Sequence, residues 1–125
     1  MNYDVIVIGA GPAGLFAAYE ITRKSDLKVC IVEMGKDVKN RTCPMEITDV
    51  CTKCKPCNIM CGIGGAGGLS DGTLNLRPDI GGNLEEFISK KEAWQLIKDV
   101  DKIYLDHGTP NKLYEASKVE EKELS

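Results

Sequence analysis

The sequence lacks a long apolar run. Its first one, Val5 to Ala10, is too short to span a membrane, follows Asp4 and has no cationic flank before it. Neither a signal peptide nor a membrane anchor is expected there, and a soluble, cytoplasmic protein without a membrane partner is the simplest expectation. Concentrated basic charge is missing too. The 16 Lys and Arg are scattered among 19 Asp and Glu, for a formal charge of -3, so nucleic acid is excluded as the main partner because phosphate binding needs a concentrated basic face. Histidine is reduced to His107, and no cysteine follows Cys61. A disulfide framework would spread its cysteines, whereas five of the six here fall between Cys43 and Cys61, which points to free thiols, a metal site or redox chemistry. There is no internal repeat.

What is present is ordinary globular material. With 125 residues, 42% of them hydrophobic and 28% charged, the chain suffices for one folded unit with one modest core. Tyr3 to Ile8 reads as a fully buried parallel strand bounded by Gly9. From Pro12 to about Lys24, Leu15, Ala18, Tyr19 and Thr22 keep helical spacing, and Arg23 and Lys24 suit the C-terminal end. Leu27 to Glu33 reads as a second buried strand, which completes a βαβ unit. Met34 to Cys61 has no sustained periodicity and is expected to be irregular. Gly62 to Gly72 is so rich in glycine that it is expected to expose its backbone.

Further on, Leu84 to Ile88 is expected to form a helical turn. Ser89 with Glu92 forms a capping box for a helix starting at Lys90. Ala93, Leu96, Ile97, Val100, Ile103 and Tyr104 share a face of that helix, Trp94 and Tyr104 are read as core residues, and Gly108 and Pro110 stop the helix. His107, beside Gly108, reads as a cap. The last residues, 120–125, read as a charged tail.

Gly9-Ala10-Gly11-Pro12-Ala13-Gly14 sits where the first strand hands over to the helix. Gly9 permits the tight turn, Gly11 lets a pyrophosphate approach the backbone, and Gly14 lets the helix pack on the strands. Pro12 suits the first helical turn, whose free N–H groups and partial positive charge attract phosphate. Glu33 ends the second strand 24 residues after Gly9, where a carboxylate can accept hydrogen bonds from both ribose hydroxyls. Met34 offers no cation for a 2′-phosphate, which disfavours NADP. These residues point to a dinucleotide.

The string from Asp4 through Gly14 to Leu15, with Ala17 and Ala18 beyond, resembles the opening of flavoproteins of the glutathione reductase superfamily. Cys43-Pro44, Cys54-Lys55-Pro56-Cys57-Asn58-Ile59, Gly64-Gly65-Ala66-Gly67 and Ser70-Asp71-Gly72 are similar to the FAD-dependent dehydrogenases, also labelled NAD(P)/FAD-dependent oxidoreductases. So are Gly81-Gly82-Asn83-Leu84, Val100-Asp101 and Gly108-Thr109-Pro110, with departures at Thr73 and Cys61. The resemblance implies FAD as the cofactor. It also implies that the loop Gly64, Gly65, Ala66, Gly67, Gly68, Leu69, Ser70, Asp71, Gly72 wraps the flavin side, and that Arg41 to Cys43 lie near the pyrophosphate. Glycines that leave N–H groups free to approach a planar ring or phosphates agree with this. On its residues alone Arg41 is equally an ordinary solvated charge or a phosphate ligand.

Cys51, Cys54, Cys57 and Cys61 have the spacing C-x2-C-x2-C-x3-C of a bacterial ferredoxin run. Gly62 follows in place of proline, and a second cluster would lack ligands. A tetrahedral zinc site, reversible thiol redox beside a flavin, and plain structural thiols are the other readings, the last one favoured.

The expected fold is α/β: an incomplete Rossmann-type FAD-binding unit (βαβ) followed by a Cys/Gly-rich loop and a helix, with residues 1–119 as a partial FAD-binding domain. The resemblance implies the N-terminal segment of a flavin-dependent oxidoreductase, not catalytically complete alone, because no further parallel strand or substrate domain is visible after Pro110. Its catalytic residues and substrate are not legible. A non-catalytic dinucleotide-binding module, or a thiol-rich metal or iron–sulfur module, is the alternative. Open apolar faces would favour self-association or pairing with a complementary chain.

Overall fold

A computed structural model describes residues 2–113. Contacts divide the chain into two compact units, Met1–Thr73 and Leu74–Ser125, where length alone suggested one. Among the described residues the buried apolar ones are Ala10, Ala18 and Ala93, all small. Full burial of only three methyl groups contributes little by itself, and the other apolar side chains of the described residues are half-buried or exposed.

The first unit is mixed helix and strand. β1 (Val5–Ile8) and β2 (Val29–Val32) pair in parallel, Val5 opposite Val29 through Ile8 opposite Val32. α1 (Pro12–Lys24) connects them, an arrangement compatible with a partial βαβ unit. Both strands are shorter than the apolar runs that encode them. The helix starts at Pro12, whose missing N–H has no intrahelical partner to lose. It ends where Ser25 turns its hydroxyl back onto the Ile21 carbonyl at 2.7 Å. Arg23 and Lys24 both pair with Glu20 near this end.

The expectation of fully buried strands does not hold. Val7 points to α1, so its neighbours Ile6 and Ile8 point to the other face, together with Val32 opposite Ile8. Ile6 is 63% exposed, Ile8 87% and Val32 52%. Within this unit one helix layer covers one face, and a continuous Val/Ile run cannot reveal that its second face is open.

The segment expected to be irregular is only partly so. A 3-10 turn at Val38–Asn40 is capped by the Asp37 carboxylate, which accepts from the Lys39 N–H at 3.0 Å. α2 (Met45–Thr48) is a single helical turn closed by Asp49 in the left-handed region. Both are too short for periodicity to register. A further 3-10 turn, Ala66–Leu69, lies in the glycine-rich loop.

In the second unit a 3-10 turn at Leu84–Glu86 precedes α3 (Lys90–Asp106). The capping box is complete. Ser89 Oγ accepts from the Glu92 N–H at 3.3 Å, and Glu92 Oε2 accepts from the Ser89 N–H at 3.0 Å. Ala93 is fully buried, while Ile97, Val100, Ile103 and Tyr104 are half-buried. Leu96 lies at the margin of this face and is 50% exposed. Trp94, expected in the core, is 39% exposed, because one residue beyond Ala93 turns it about 100° away from the buried stripe. His107 caps the C-terminus, with Nδ1 2.7 Å from the Ile103 carbonyl. Among the described residues no helix is long and apolar enough to cross a membrane. The charged tail at 120–125 lies outside the described residues.

Candidate functional site

The turn from Gly9 to Gly14 is built as its spacing suggests. At Gly14 an added Cβ would lie 2.0 Å from the Gly9 carbonyl oxygen and 3.3 Å from a Val7 methyl, so the helix sits flush against the strand only without a side chain. At Gly11 an added Cβ would meet nothing within 4 Å. Space over Gly11 is therefore open, and its absent side chain serves access from outside. Gly11 is also the N-cap of α1 and supplies no side-chain acceptor, which leaves first-turn N–H groups uncapped by any side chain. Pro12 and Ala13 form that first turn.

Glu33 ties this turn to two other segments. Its Oε2 accepts from the Ala10 N–H at 2.7 Å, and its Oε1 accepts from Gly35 and Gly62 at 2.9 Å each. The Ala10 N–H first, then those of Gly35, Gly62 and Met34, hold its carboxyl below the usual range against an opposing effect of partial burial. A carboxylate has about four acceptor sites. Backbone N–H groups already take up most of this capacity, so both ribose hydroxyls could be held only if backbone N–H groups were released. The Met34 side chain is 74% exposed.

The glycine-rich loop is anchored at its start and free at its end. Gly64 donates to the Ala10 carbonyl at 2.8 Å, and Ile63 donates to the Lys36 carbonyl at 3.1 Å. Gly65, at φ 60° and ψ -155°, occupies a region open essentially to glycine alone, and a Cβ there would lie 3.2 Å from Gly11 Cα. Gly68 rests against the guanidinium of Arg41, its added Cβ 3.3 Å from Nη1. Ala66, Gly67 and Leu69 through Gly72 are exposed. There Ser70 Oγ donates to the Gly67 carbonyl at 2.9 Å, and Asp71 Oδ1 accepts from the Thr73 N–H at 2.9 Å. Thr73 holds the Asp71 carboxyl below its ordinary value.

Arg41 is neither solvated nor turned toward open space. It is 5% exposed, and its Nε donates to the Asn58 carbonyl at 2.7 Å. Nη1 donates to the carbonyls of Ile63 at 3.1 Å and Gly65 at 2.8 Å, and Nη2 donates to that of Ile59.

Of the predicted residues, the structure brings together Gly9 to Gly14, Glu33, Arg41, Gly64, Gly65 and Gly68. It leaves the end of the loop, from Leu69 to Gly72, bonded to itself. Sequence reasoning missed Gly35 and Gly62 as site residues. A Cβ on Gly35 would lie 2.4 Å from the Gly62 nitrogen, and one on Gly62 would lie 2.4 Å from the Lys36 carbonyl oxygen. A glycine two residues after Glu33 is the available signal.

The cysteine run is not gathered. Cys51 is exposed, Cys54 Sγ lies 3.2 Å from Thr52 Oγ1, and the Cys61 N–H donates to the Cys57 carbonyl at 2.8 Å. Among the described residues no group of three or more His, Cys, Asp or Glu is placed to share a metal ion. The N–H groups of Met60 and then Ile59, with the positive charge of Arg41, pull the pKa of Cys57 down against burial.

Residues 1–38 match the Thi4 family. The chain is 49% identical over 43 residues to the mitochondrial electron transfer flavoprotein-ubiquinone oxidoreductase of Oryza sativa subsp. japonica, a match that covers 30% of this chain and 8% of that protein. It is 53% identical over 32 residues to the chloroplastic thiamine thiazole synthase of Arabidopsis thaliana, covering 26% and 9%. A longer match, 40% identical over 73 residues, is to an uncharacterized protein of Clostridium beijerinckii and covers 58% of this chain and 14% of that one. No solved structure matches the chain. The alignments thus span less than a tenth of the oxidoreductase and of the thiazole synthase, and the Thi4 match covers the segment that carries β1, α1 and β2.

Proposed function

We propose that the Gly9 to Gly14 turn holds the diphosphate of FAD, in an incomplete Rossmann-type unit that serves as the cofactor-binding segment of a flavin-dependent oxidoreductase. The observation that carries this reading is the contrast between two glycines. Gly14 is closed against the strand, as helix packing demands, while Gly11 opens onto free space at an α-helix N-terminus with no side-chain cap. Backbone N–H groups and the helix dipole converge on that space and favour an anion with a thin approach path. Similarity of 43 residues of this chain to an electron transfer flavoprotein-ubiquinone oxidoreductase supports a flavin dinucleotide over a bare nucleotide.

In this reading Glu33 receives a ribose hydroxyl in place of one of its backbone N–H partners and repels a 2′-phosphate. The residues Gly64 to Gly72 lie toward the flavin half, and Met34 flanks the adenosine. When bound, the flavin supplies the hydride chemistry. The residues of this chain bind and orient, and groups that hold a substrate in near-attack geometry and exclude water come from further polypeptide. The open face formed by Ile6, Ile8 and Val32 gives such polypeptide, or a second copy, an apolar surface to cover.

Titration of the full chain with FAD, followed by quenching of flavin fluorescence, tests the reading beside Gly11→Val. Saturable binding is expected for the parent chain. The variant should lose at least about tenfold in affinity, with an unchanged circular dichroism spectrum, because its side chain enters open space. Equal binding by the variant, or tighter binding of NADP than of FAD and NAD by the parent chain, would place the nucleotide elsewhere.

A further inference from the structure

Arg41 is the one charged residue buried among those described. No carboxylate of the described residues pairs with it, and four of its five N–H groups go to main-chain carbonyls of a single segment. Withdrawing a guanidinium from water without a counter-ion is costly. What that cost secures is shape. A planar fork sets the carbonyls of Asn58, Ile59, Ile63 and Gly65 at fixed directions around one centre, which an ammonium on a flexible stem cannot do.

Gly65 is the residue through which this shape reaches the nucleotide turn. Its carbonyl accepts from Arg41 Nη1 at 2.8 Å, and its Cα carries no side chain where a Cβ would lie 3.2 Å from Gly11 Cα and 3.3 Å from Pro12 Cδ. The preceding N–H, that of Gly64, donates to the Ala10 carbonyl at 2.8 Å. Gly62, two residues earlier, donates to Glu33, and a Cβ on it would lie 2.7 Å from Arg41 Cδ. The guanidinium therefore stands behind the loop, and the turn stands in front of it.

We propose that Arg41 is a positioning residue: it does not take the cofactor's phosphates but fixes residues 58–65 as a rigid wall beside Gly11, and so aims the glycine-rich loop at the flavin half of FAD. This rests on the FAD reading above for the identity of the ligand. The wall itself stands on contacts within the chain.

FAD and ADP share the half that faces Gly9 to Gly14, and only FAD reaches the loop. The full chain, Arg41→Met and Arg41→Lys are compared for FAD and for ADP affinity, together with amide hydrogen exchange at Gly62, Ile63 and Gly64. Both variants should weaken FAD by about tenfold and ADP by less than about threefold. Exchange should accelerate at those three amides and stay slow at Gly9, whose N–H bonds to Val32 across the sheet. Should Arg41→Met fail to fold, Arg41→Lys carries the comparison. Parallel loss of FAD and ADP affinity would reduce Arg41 to a general stabiliser and overturn the proposal, as would full FAD affinity in Arg41→Lys. If the parent chain binds neither ligand, the cofactor reading fails on its own. Exchange then decides for the wall if the three amides lose protection in the variants, and against it if they do not.

Discussion

The two units are ordered by different kinds of interaction. In Met1–Thr73 the ties run between residues far apart in sequence: Glu33 joins Ala10 to Gly62, and Arg41 joins Asn58, Ile59, Ile63 and Gly65. In Leu74–Ser125 the clearest ties are local, a capping box at one end of α3 and His107 at the other. The first arrangement shapes a surface around an open space, and the second makes a regular element. This difference matters because, among the described residues, neither unit has a large fully buried side chain to hold its backbone in place by packing alone.

The largest expected effect comes from breaking the first unit where its backbone approaches itself most closely. In Gly14→Ala the new methyl meets the Gly9 carbonyl oxygen at 2.0 Å, and neither main-chain group can step aside without parting α1 from β1. A loss of more than about 3 kcal/mol is expected, beyond ordinary overpacking, enough to unfold a marginal unit. Thermal denaturation followed by circular dichroism checks this. A melting point within a few degrees of the parent would mean that the strand–helix contact is looser than the distance indicates.

A smaller effect is expected from the carboxylate clamp, and it carries a pH signature. Backbone N–H groups lower the Glu33 pKa in the folded chain below its ordinary value of 4.5, so the unfolded chain binds this proton more readily. The clamp's contribution is therefore present above that ordinary value and is lost as pH falls through the lower folded value. Glu33→Gln keeps one acceptor oxygen and has no titration. The stability gap between parent and variant should be widest near about pH 6 and shrink toward about pH 3. The difference isolates Glu33 from Glu20, Asp71, Asp79 and Glu92, whose carboxyls are also held below their ordinary values and are common to both proteins. A gap that stays constant over this range would remove the carboxylate's charge from the explanation.

The same contrast governs how much could be read in advance. Ser89 and Glu92, the periodic face of α3 and Pro12 at the head of α1 are local signals, and both helices stand where they place them. Arg41 reads equally as a solvated charge or a phosphate ligand because its partners are carbonyls, which every residue carries and no sequence distinguishes. Ile6 and Ile8 read as core because hydrophobic runs report a tendency to be covered and not the presence of a cover. For the cysteines, spacing alone kept the metal reading open, since C-x2-C repeats carry no information on whether the intervening backbone turns the sulfurs toward one point.

The smallest expected effect sharpens the comparison from the other side. Ser89 Oγ accepts from the Glu92 N–H at 3.3 Å and donates to Glu92 Oε2 at 2.6 Å, while the return bond from the Ser89 N–H to that carboxylate needs no Ser89 side chain. Ser89→Ala removes the first two bonds and spares the third. About 1 kcal/mol of stability should be lost, the usual worth of such a cap, and Ser89→Thr should restore most of it because a hydroxyl returns to the same place. The loss should be confined to the first turn of α3, where the freed N–H of Glu92 sits beside the still-paired carboxylate. Amide exchange is the suitable readout: faster at Glu92 and Ala93, unchanged at Ala10 and Gly62. Because the cap's partners lie within three residues of Ser89, nothing in its hydrogen bonding reaches the Glu33 clamp. Acceleration at Ala10 or Gly62 in Ser89→Ala would show that the two kinds of order are coupled, and the contrast between a locally built helix and a remotely tied site would have to be given up.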